Sequence, residues 1–493
     1  MLFNSLHFVF FFAFTTLLFF SLPGRGRLWL LLLASCYFYA AYIPAYLLVL
    51  FLVIGIDYVA GLFIESSVGR QRSVWLVGSL IANVALLAFF KYYDFANLNL
   101  TYLLDRLGYA NPVPPLSVLA PGIVLPIGLS FHTFQSMSYT IEVYRGNQRA
   151  ERSLTHYALY VLFYPQLVAG PIERPQNVLP QLHSLPPFEW ARVRSGLLMM
   201  AGGMFKKVVI ADRMALLVDP AFGDVAGTNG KSLLLAALAY SIQIYCDFSG
   251  YSDIAIGAGR ILGVEMMTNF RTPYLANSVT DFWRRWHISL STWFRDYVYI
   301  PLGGNRRSTA RTYLNTMTIF GLSGLWHGAD WKFVFWGALH GFFLIVEQIW
   351  RRNQQRMQPV APPSVQLVPH RPYVSEPYVI SGLSKQYVAP VVTFALVTFA
   401  WIFFRANSFA DAWLMIQKIG MDSTDASVLR VALNPAELWF AVALVVALRF
   451  EPRWIGFVEE VGQRAFWVAF PMIVVLCYLF GVFTSNQFIY FQF

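Results

Sequence analysis

The sequence predicts an all-α, polytopic membrane protein. Three observations carry that expectation: an apolar, aromatic-rich composition, apolar runs of spanning length along most of the chain, and basic residues that recur between those runs. Hydrophobic residues make up 57% of the 493 positions and charged residues 13%, whereas soluble domains carry about 25% charge. Apolar side chains facing lipid around the whole perimeter explain the difference.

A helix needs about 20 apolar residues to cross the hydrocarbon. The candidate runs are 5–22, 28–42, 44–63, 74–91, 122–141, 154–170, 195–217, 232–262, 312–327, 332–350, 388–405, 436–450 and 467–484. Several are too short or too polar for simple spans, so interfacial or re-entrant pieces are expected where protein surrounds the backbone. The first run has no basic residue before it and Arg25 and Arg27 after it. That is the reverse of a secretory signal's charge order, so it reads as a retained span.

The formal charge of +10 is spread rather than pooled. Arg25 and Arg27, Arg70 and Arg72, Arg145, Arg149 and Arg152, Arg306, Arg307 and Arg311, and Arg351, Arg352 and Arg356 each sit beside an apolar run. This is the positive-inside pattern, not a nucleic-acid footprint, so no nucleic-acid partner is expected. With Arg25 and Arg27 cytoplasmic, alternation returns Arg70, Arg72, Arg145, Arg149 and Arg152 to the cytoplasm and leaves both termini periplasmic. Between 154 and 262 the parity is open, because Lys206, Lys207, Asp212, Arg213, Asp247 and Asp253 interrupt the apolar pattern.

Residues 1–350 are read as the membrane core, 351–387 as a cytoplasmic linker, and 388–493 as C-terminal helices of the same membrane domain. Pro359, Pro362 and Pro363 forbid a regular helix in the linker. Cys36, Cys246 and Cys477 lie far apart in apolar stretches, with neither disulfide nor metal spacing. No internal repeat is visible that would support a transporter built of inverted repeats.

Residues 282–297 place Trp283, Trp286, Leu290, Trp293 and Tyr297 at helical offsets of three and four, with Arg284, Arg285, Ser289, Thr292 and Asp296 opposite. This predicts one amphipathic helix in the headgroup region, with His287 at the margin of its aromatic face. Either an interfacial anchor or a functional histidine fits. Residues 324–331 place His327 between glycines near the end of an apolar helix. An intramembrane histidine is costly unless it faces protein or water, and an imidazole of ordinary pKa near 6.5 suits proton abstraction from a hydroxyl. The competing reading is a histidine that bonds helices together. His340, thirteen residues further on, falls on a different face and is not expected to work with His327. Neither has metal-ligand spacing, so no metal is expected. Asp247 and Asp253 either line a polar route for substrate or pair with Lys206, Lys207 or an arginine of the 284–295 segment. Residues 169–175 read as a helix terminator with a sharp bend at Gly170 and Pro171. The chain has no nucleotide loop, no Gly-x-Ser-x-Gly elbow and no kinase signature.

At Phe282–Trp293 and Leu325–Trp331 the sequence resembles the membrane-bound O-acyltransferase family, in particular its bacterial alginate O-acetylase branch. Supporting stretches are Leu125-Pro-Ile-Gly-Leu-Ser-Phe, Ala169-Gly-Pro-Ile, Tyr245-Cys-Asp-Phe-Ser-Gly-Tyr-Ser-Asp and Leu302-Gly-Gly-Asn-Arg, in the family's order. The resemblance covers residues 1–350 well and the remainder by helical pattern. Asp330 stands where the pattern has asparagine, and Leu314 where relatives often carry arginine.

The resemblance implies a ring of about 11 to 13 transmembrane or re-entrant helices around a central funnel. It also implies catalysis by His327 with His287 as the second signature residue, and a weaker substrate or donor path at Trp326, Asp330, Arg284, Arg285, Asp247 and Asp253. No permanently bound cofactor is implied; acetyl-coenzyme A is the acyl donor, acting in a bacterial inner membrane. The implied partners are a periplasmic SGNH-hydrolase-like acetyltransferase and the polysaccharide synthase and export machinery. An alginate-like exopolysaccharide is the expected acceptor. D-alanyl transfer to teichoic acid and O-acetylation of peptidoglycan or cellulose are the alternatives, and a non-enzymatic transporter or export scaffold is the alternative of another class.

Overall fold

A computed structural model describes residues 1–122, 125–126, 128–167, 170–357, 383–421 and 433–483. Helices and their connections account for all regular structure among these residues, with no strand. Six helices are long and apolar enough to cross a membrane: Tyr46–Ser66, Arg70–Arg106, Gly230–Ile261, Trp331–Gln354, Val388–Arg405 and Gln463–Phe480. The protein is therefore a multi-pass membrane protein. Large apolar side chains such as Leu6, Leu17, Leu48, Trp439 and Tyr478 stay exposed on the outside, as lipid-facing positions should.

The centre is the 32-residue helix Gly230–Ile261, opened by an Asn229 side-chain cap on the Ser232 amide. Beside it runs the continuous helical stretch from Trp190 to Gly223, which contains a π-helical turn at Phe205–Ala211. Glycines set their separation. A Cβ on Gly203 would lie 2.5 Å from the Gly250 carbonyl oxygen, and one on Gly250 2.6 Å from the Gly203 oxygen. Gly196 and Gly257 repeat the arrangement two turns away, at 2.7 and 2.6 Å. Small residues let the backbones approach, the usual means of joining helices in lipid.

Charge sits within that contact. Lys207 pairs with Asp212 and Asp247 at 2.7 Å each, while Lys206 pairs with Asp253 at 2.8 Å and with Glu451. The Tyr245 hydroxyl donates to the second Glu451 oxygen at 2.5 Å. Asp247 and Asp253 thus meet the lysine partners that were one of their two expected roles. The π-turn puts the two consecutive lysines where each meets its own pair of carboxylates, and π-bulges commonly mark such specialised positions.

Another intramembrane carboxylate, Asp57, is fully buried in Tyr46–Ser66. It accepts from the Ser79 hydroxyl at 2.6 Å and from the Asn83 amide at 2.9 and 3.0 Å. Polar side chains across a helical hairpin act here as glue.

Several expected boundaries shift. The 154–170 run is no span: it forms helix Leu154–Leu162, a break, and the short turn Tyr164–Leu167. Residues 157–164 are buried almost completely, so protein surrounds this non-spanning piece. Within the 122–141 run the helix Leu129–Arg145 begins after Gly128, which lies in the left-handed region at φ 75°. The helix from Trp331 continues to Met357, past the expected linker start at 351, and another begins at Leu383. The three linker prolines lie outside the described residues. Helices Pro175–His183, Phe409–Met421 and Glu451–Glu460 were not expected, being too short or too polar to resemble spans.

Candidate active site

Ser308 caps the Arg311 amide and opens a helix that runs unbroken from Thr309 to His327. Sixteen residues at about 1.5 Å each carry His327 on the order of 24 Å from Arg311 along the axis. The last carbonyls of a helix lack intrahelical partners, and this end is held from another helix. Lys91 Nζ donates to the Trp326 oxygen at 2.6 Å and to the His327 oxygen at 3.2 Å, and the Tyr92 hydroxyl donates to the Leu325 oxygen at 3.0 Å. Both residues belong to a π-turn, Ala88–Tyr92, inside the long Arg70–Arg106 helix. A cation at a helix C-terminus also complements its macrodipole.

After His327 the chain turns through Gly328 and returns as Trp331–Met357. Asp330 starts that helix: its carboxylate accepts from the Lys332 amide at 2.9 Å and its carbonyl from Phe333 at 3.1 Å. A methyl group on Gly324 would fall on the Phe333 carbonyl, and one on Gly337 on that of Phe320, so the two helices are in backbone contact. The hairpin brings Trp336 beside His327, with ring centroids 5.0 Å apart. Trp326 at 4.9 Å and Phe404 at 5.3 Å complete an aromatic wall around the imidazole.

His287 arrives differently from expectation. Residues 282–297 do not form one amphipathic helix: Val279–Arg285 and Ile288–Phe294 are separate short helices, with His287 between them at φ 44°. A non-glycine residue in the left-handed region costs energy and persists only where its surroundings impose it. Asn269 supplies the restraint. Its carbonyl oxygen accepts from the Ile288 amide at 3.0 Å, and its side-chain oxygen accepts from the Ser289 amide at 3.2 Å and the Ser289 hydroxyl at 3.0 Å. The break also explains why Ser289, expected on a wet polar face, is fully buried.

The His287 imidazole lies edge-on to Phe248 at 4.7 Å and 6.1 Å from the Trp326 ring. Trp326 therefore touches both histidines. Its other neighbours are Phe131 and Phe134, each 5.4 Å away, and Phe134 stacks on Trp293 at 3.8 Å. This floor comes from helix Leu129–Arg145.

The family model of the membrane-bound O-acyltransferases matches residues 147–371. A probable alginate O-acetylase AlgI of Pseudomonas aeruginosa is 39% identical over 424 residues, covering 85% of this chain and 74% of that protein. The Azotobacter vinelandii protein of the same description is 40% identical over 422 residues, 84% and 77% of the two chains. A peptidoglycan O-acetyltransferase of Helicobacter pylori is 35% identical over 417 residues, 79% and 73%.

The chain belongs to the membrane-bound O-acyltransferase family. It is a membrane-bound acyltransferase, and the two histidines that carried the resemblance converge on a single indole in its interior.

Within this acyltransferase, the residues expected along a substrate path separate into groups. Trp326 is buried against both histidines. Asp330 begins a helix, Arg284 is exposed, and Arg285 pairs with Asp281 at 3.0 Å. Asp247 and Asp253 are held by the lysine pairs. His340 is closer to the site than the thirteen-residue spacing suggested, because the chain reverses at Gly328. It shares Trp336 with His327, at 5.0 Å, and its Nδ1 accepts from Trp283 Nε1 at 3.3 Å. That bond ties Val279–Arg285 to Trp331–Met357, the helix-joining role weighed for a buried histidine. Lys91, Asn269, Phe131 and Phe404 were not foreseen. The only sequence trace of Lys91 was a cation at the edge of an apolar run, which also describes an ordinary interfacial lysine.

Proposed function

We propose that this acyltransferase moves an acetyl group from cytoplasmic acetyl-coenzyme A across the bacterial inner membrane for O-acetylation of an exported, alginate-like polysaccharide. The observation that carries the reading is His327, held within aromatic walls at the far end of one helix that starts beside Arg306, Arg307 and Arg311. With those arginines in the cytoplasm, the imidazole lies toward the opposite face, where an exported acceptor is within reach.

In the proposed reaction His327 removes the proton from the acceptor hydroxyl, or from a relay hydroxyl of a partner. The oxygen attacks the thioester carbonyl carbon, the carbon–sulfur bond breaks, and the proton passes to the departing thiolate to give coenzyme A. His287 orients the donor from the cytoplasmic side through the shared Trp326 surface. The alginate O-acetylases at 39 and 40% identity support a polysaccharide acceptor; a periplasmic SGNH-hydrolase-like partner and synthase and export proteins complete the proposal. The peptidoglycan O-acetyltransferase at 35% supports peptidoglycan as the second reading. Residues 1–350 and 388–493 form one membrane domain in this proposal, because Phe404 and Trp401 pack on His327 and Trp336.

Membranes given acetyl-labelled acetyl-coenzyme A should release coenzyme A and place label in the extracted polymer. Labelled peptidoglycan without labelled exopolysaccharide would move the acceptor to the second reading. A non-enzymatic transporter or scaffold would release no coenzyme A.

A further inference from the structure

Away from the histidine pair, Glu151, His156 and His183 each present a ligand atom, and the three atoms lie within 4.8 Å of one another. We propose that they form a binding site for a borderline divalent metal ion, zinc foremost.

The donors come from three places. Glu151 precedes helix Leu154–Leu162, His156 lies in its first turn, and His183 ends helix Pro175–His183. Separations of 5 and 27 residues give no local motif, which is why the sequence alone showed nothing. The carboxylate is buried and pre-positioned: one oxygen accepts from the Ser153 amide at 2.8 Å, the other lies 2.7 Å from His183 Nε2, and the Glu151 amide donates to the Tyr139 hydroxyl at 2.9 Å. The imidazoles stack at a centroid distance of 3.9 Å and 15° between planes. His156 Nδ1 lies 2.8 Å from the Ser153 hydroxyl, a partner of the kind that orients metal-bound imidazoles.

Two imidazole nitrogens and a carboxylate oxygen are the donor set that zinc takes. The neighbouring Arg152 is paired with Glu65 instead. Among the described residues His183 is the only ion-pair partner of Glu151. A metal replaces the proton shared by His183 and Glu151. The half-exposed histidines turn slightly to reach zinc–nitrogen distances of about 2.0–2.1 Å, with the fourth position open to water. Such an ion would fasten the start of one helix to the end of the next. Between those points the Tyr160 hydroxyl donates to the carbonyls of Gln135 and Glu173.

The test uses the full chain in detergent, purified through a histidine-free tag, stripped with chelator and titrated with zinc chloride. Wild-type protein should bind one more zinc ion per chain at micromolar zinc than the His156→Ala/His183→Ala double variant, and zinc should raise its unfolding temperature but not the variant's. Glu151→Gln retains acceptors for Ser153 and should weaken zinc binding at least tenfold, which keeps the test valid if the double variant fails to fold. Cobalt substitution should give a visible ligand-field spectrum that His183→Ala loses. Equal zinc stoichiometry in wild type and variants, or binding only at millimolar zinc, overturns the proposal.

Discussion

Lys91 holds the main chain at His327: its ammonium lies 3.2 Å from the His327 carbonyl oxygen and 2.6 Å from that of Trp326. The residue proposed as the base is thus anchored by a lysine 236 positions earlier. Lys91→Met keeps the length of the side chain and removes the donor. Leaving buried acceptors unpaired costs about 1–3 kcal/mol, and a misplacement of about 1 Å at a reacting group costs on the order of a hundredfold in rate. The variant should insert into membranes, unfold at lower temperature and lose most acetyl transfer, measured as coenzyme A release at saturating donor.

Asn269 forces the left-handed conformation at His287 by accepting from the two residues that follow it. Asn269→Ala removes the acceptor for the buried Ser289 amide and hydroxyl. We expect destabilisation of about 1–3 kcal/mol and a fall in turnover larger than that of Ser289→Ala, which removes only the hydroxyl bond. Equal effects of the two substitutions would show that the main-chain restraint is unimportant.

The lysine–carboxylate contacts predict a stability effect with a specific rescue. Lys207→Met strands Asp212 and Asp247 in the interior, and removing one partner of a buried ion pair costs about 3–5 kcal/mol. Expression and melting temperature should drop sharply. Removing the stranded charges with Lys207→Met/Asp212→Asn/Asp247→Asn should recover much of the loss, whereas no recovery would mean that the fold needs the ion pairs themselves.

Gly203 and Gly250 face each other so closely that a side chain on either meets the opposing carbonyl. Gly203→Val should push the two central helices apart, at about 1–3 kcal/mol for overpacking. Gly420→Val, at a position where a Cβ meets no neighbour within 4 Å, is the control. Thermal unfolding in detergent distinguishes them.

How much was legible beforehand follows from what each signal encodes. Composition and apolar runs report the solvent around the protein, so the membrane class and the Thr309–His327 helix were readable. Helical periodicity reports which residues share a face, but not where a long-range bond interrupts the helix. Residues 282–297 therefore read as one element in the sequence, whereas Asn269 breaks them at His287. The same blindness hid Lys91, whose role depends on a carbonyl from a distant helix. Asp57 went unnoticed because one carboxylate barely disturbs an apolar run, yet Ser79 and Asn83 satisfy it from the neighbouring helix. Asp247 and Asp253 stand out in the sequence as anomalies, and the π-turn that aims Lys206 and Lys207 at them depends on long-range packing that no local pattern records.

In the proposed reaction everything depends on proton transfer by His327. The most direct test is His327→Ala in reconstituted vesicles carrying labelled acetyl-coenzyme A on the cytoplasmic side, with retained membrane insertion and unfolding temperature as the folding control. Donor binding should stay near the wild-type level while coenzyme A release falls to background. Release at a rate close to wild type in that correctly folded variant would contradict it.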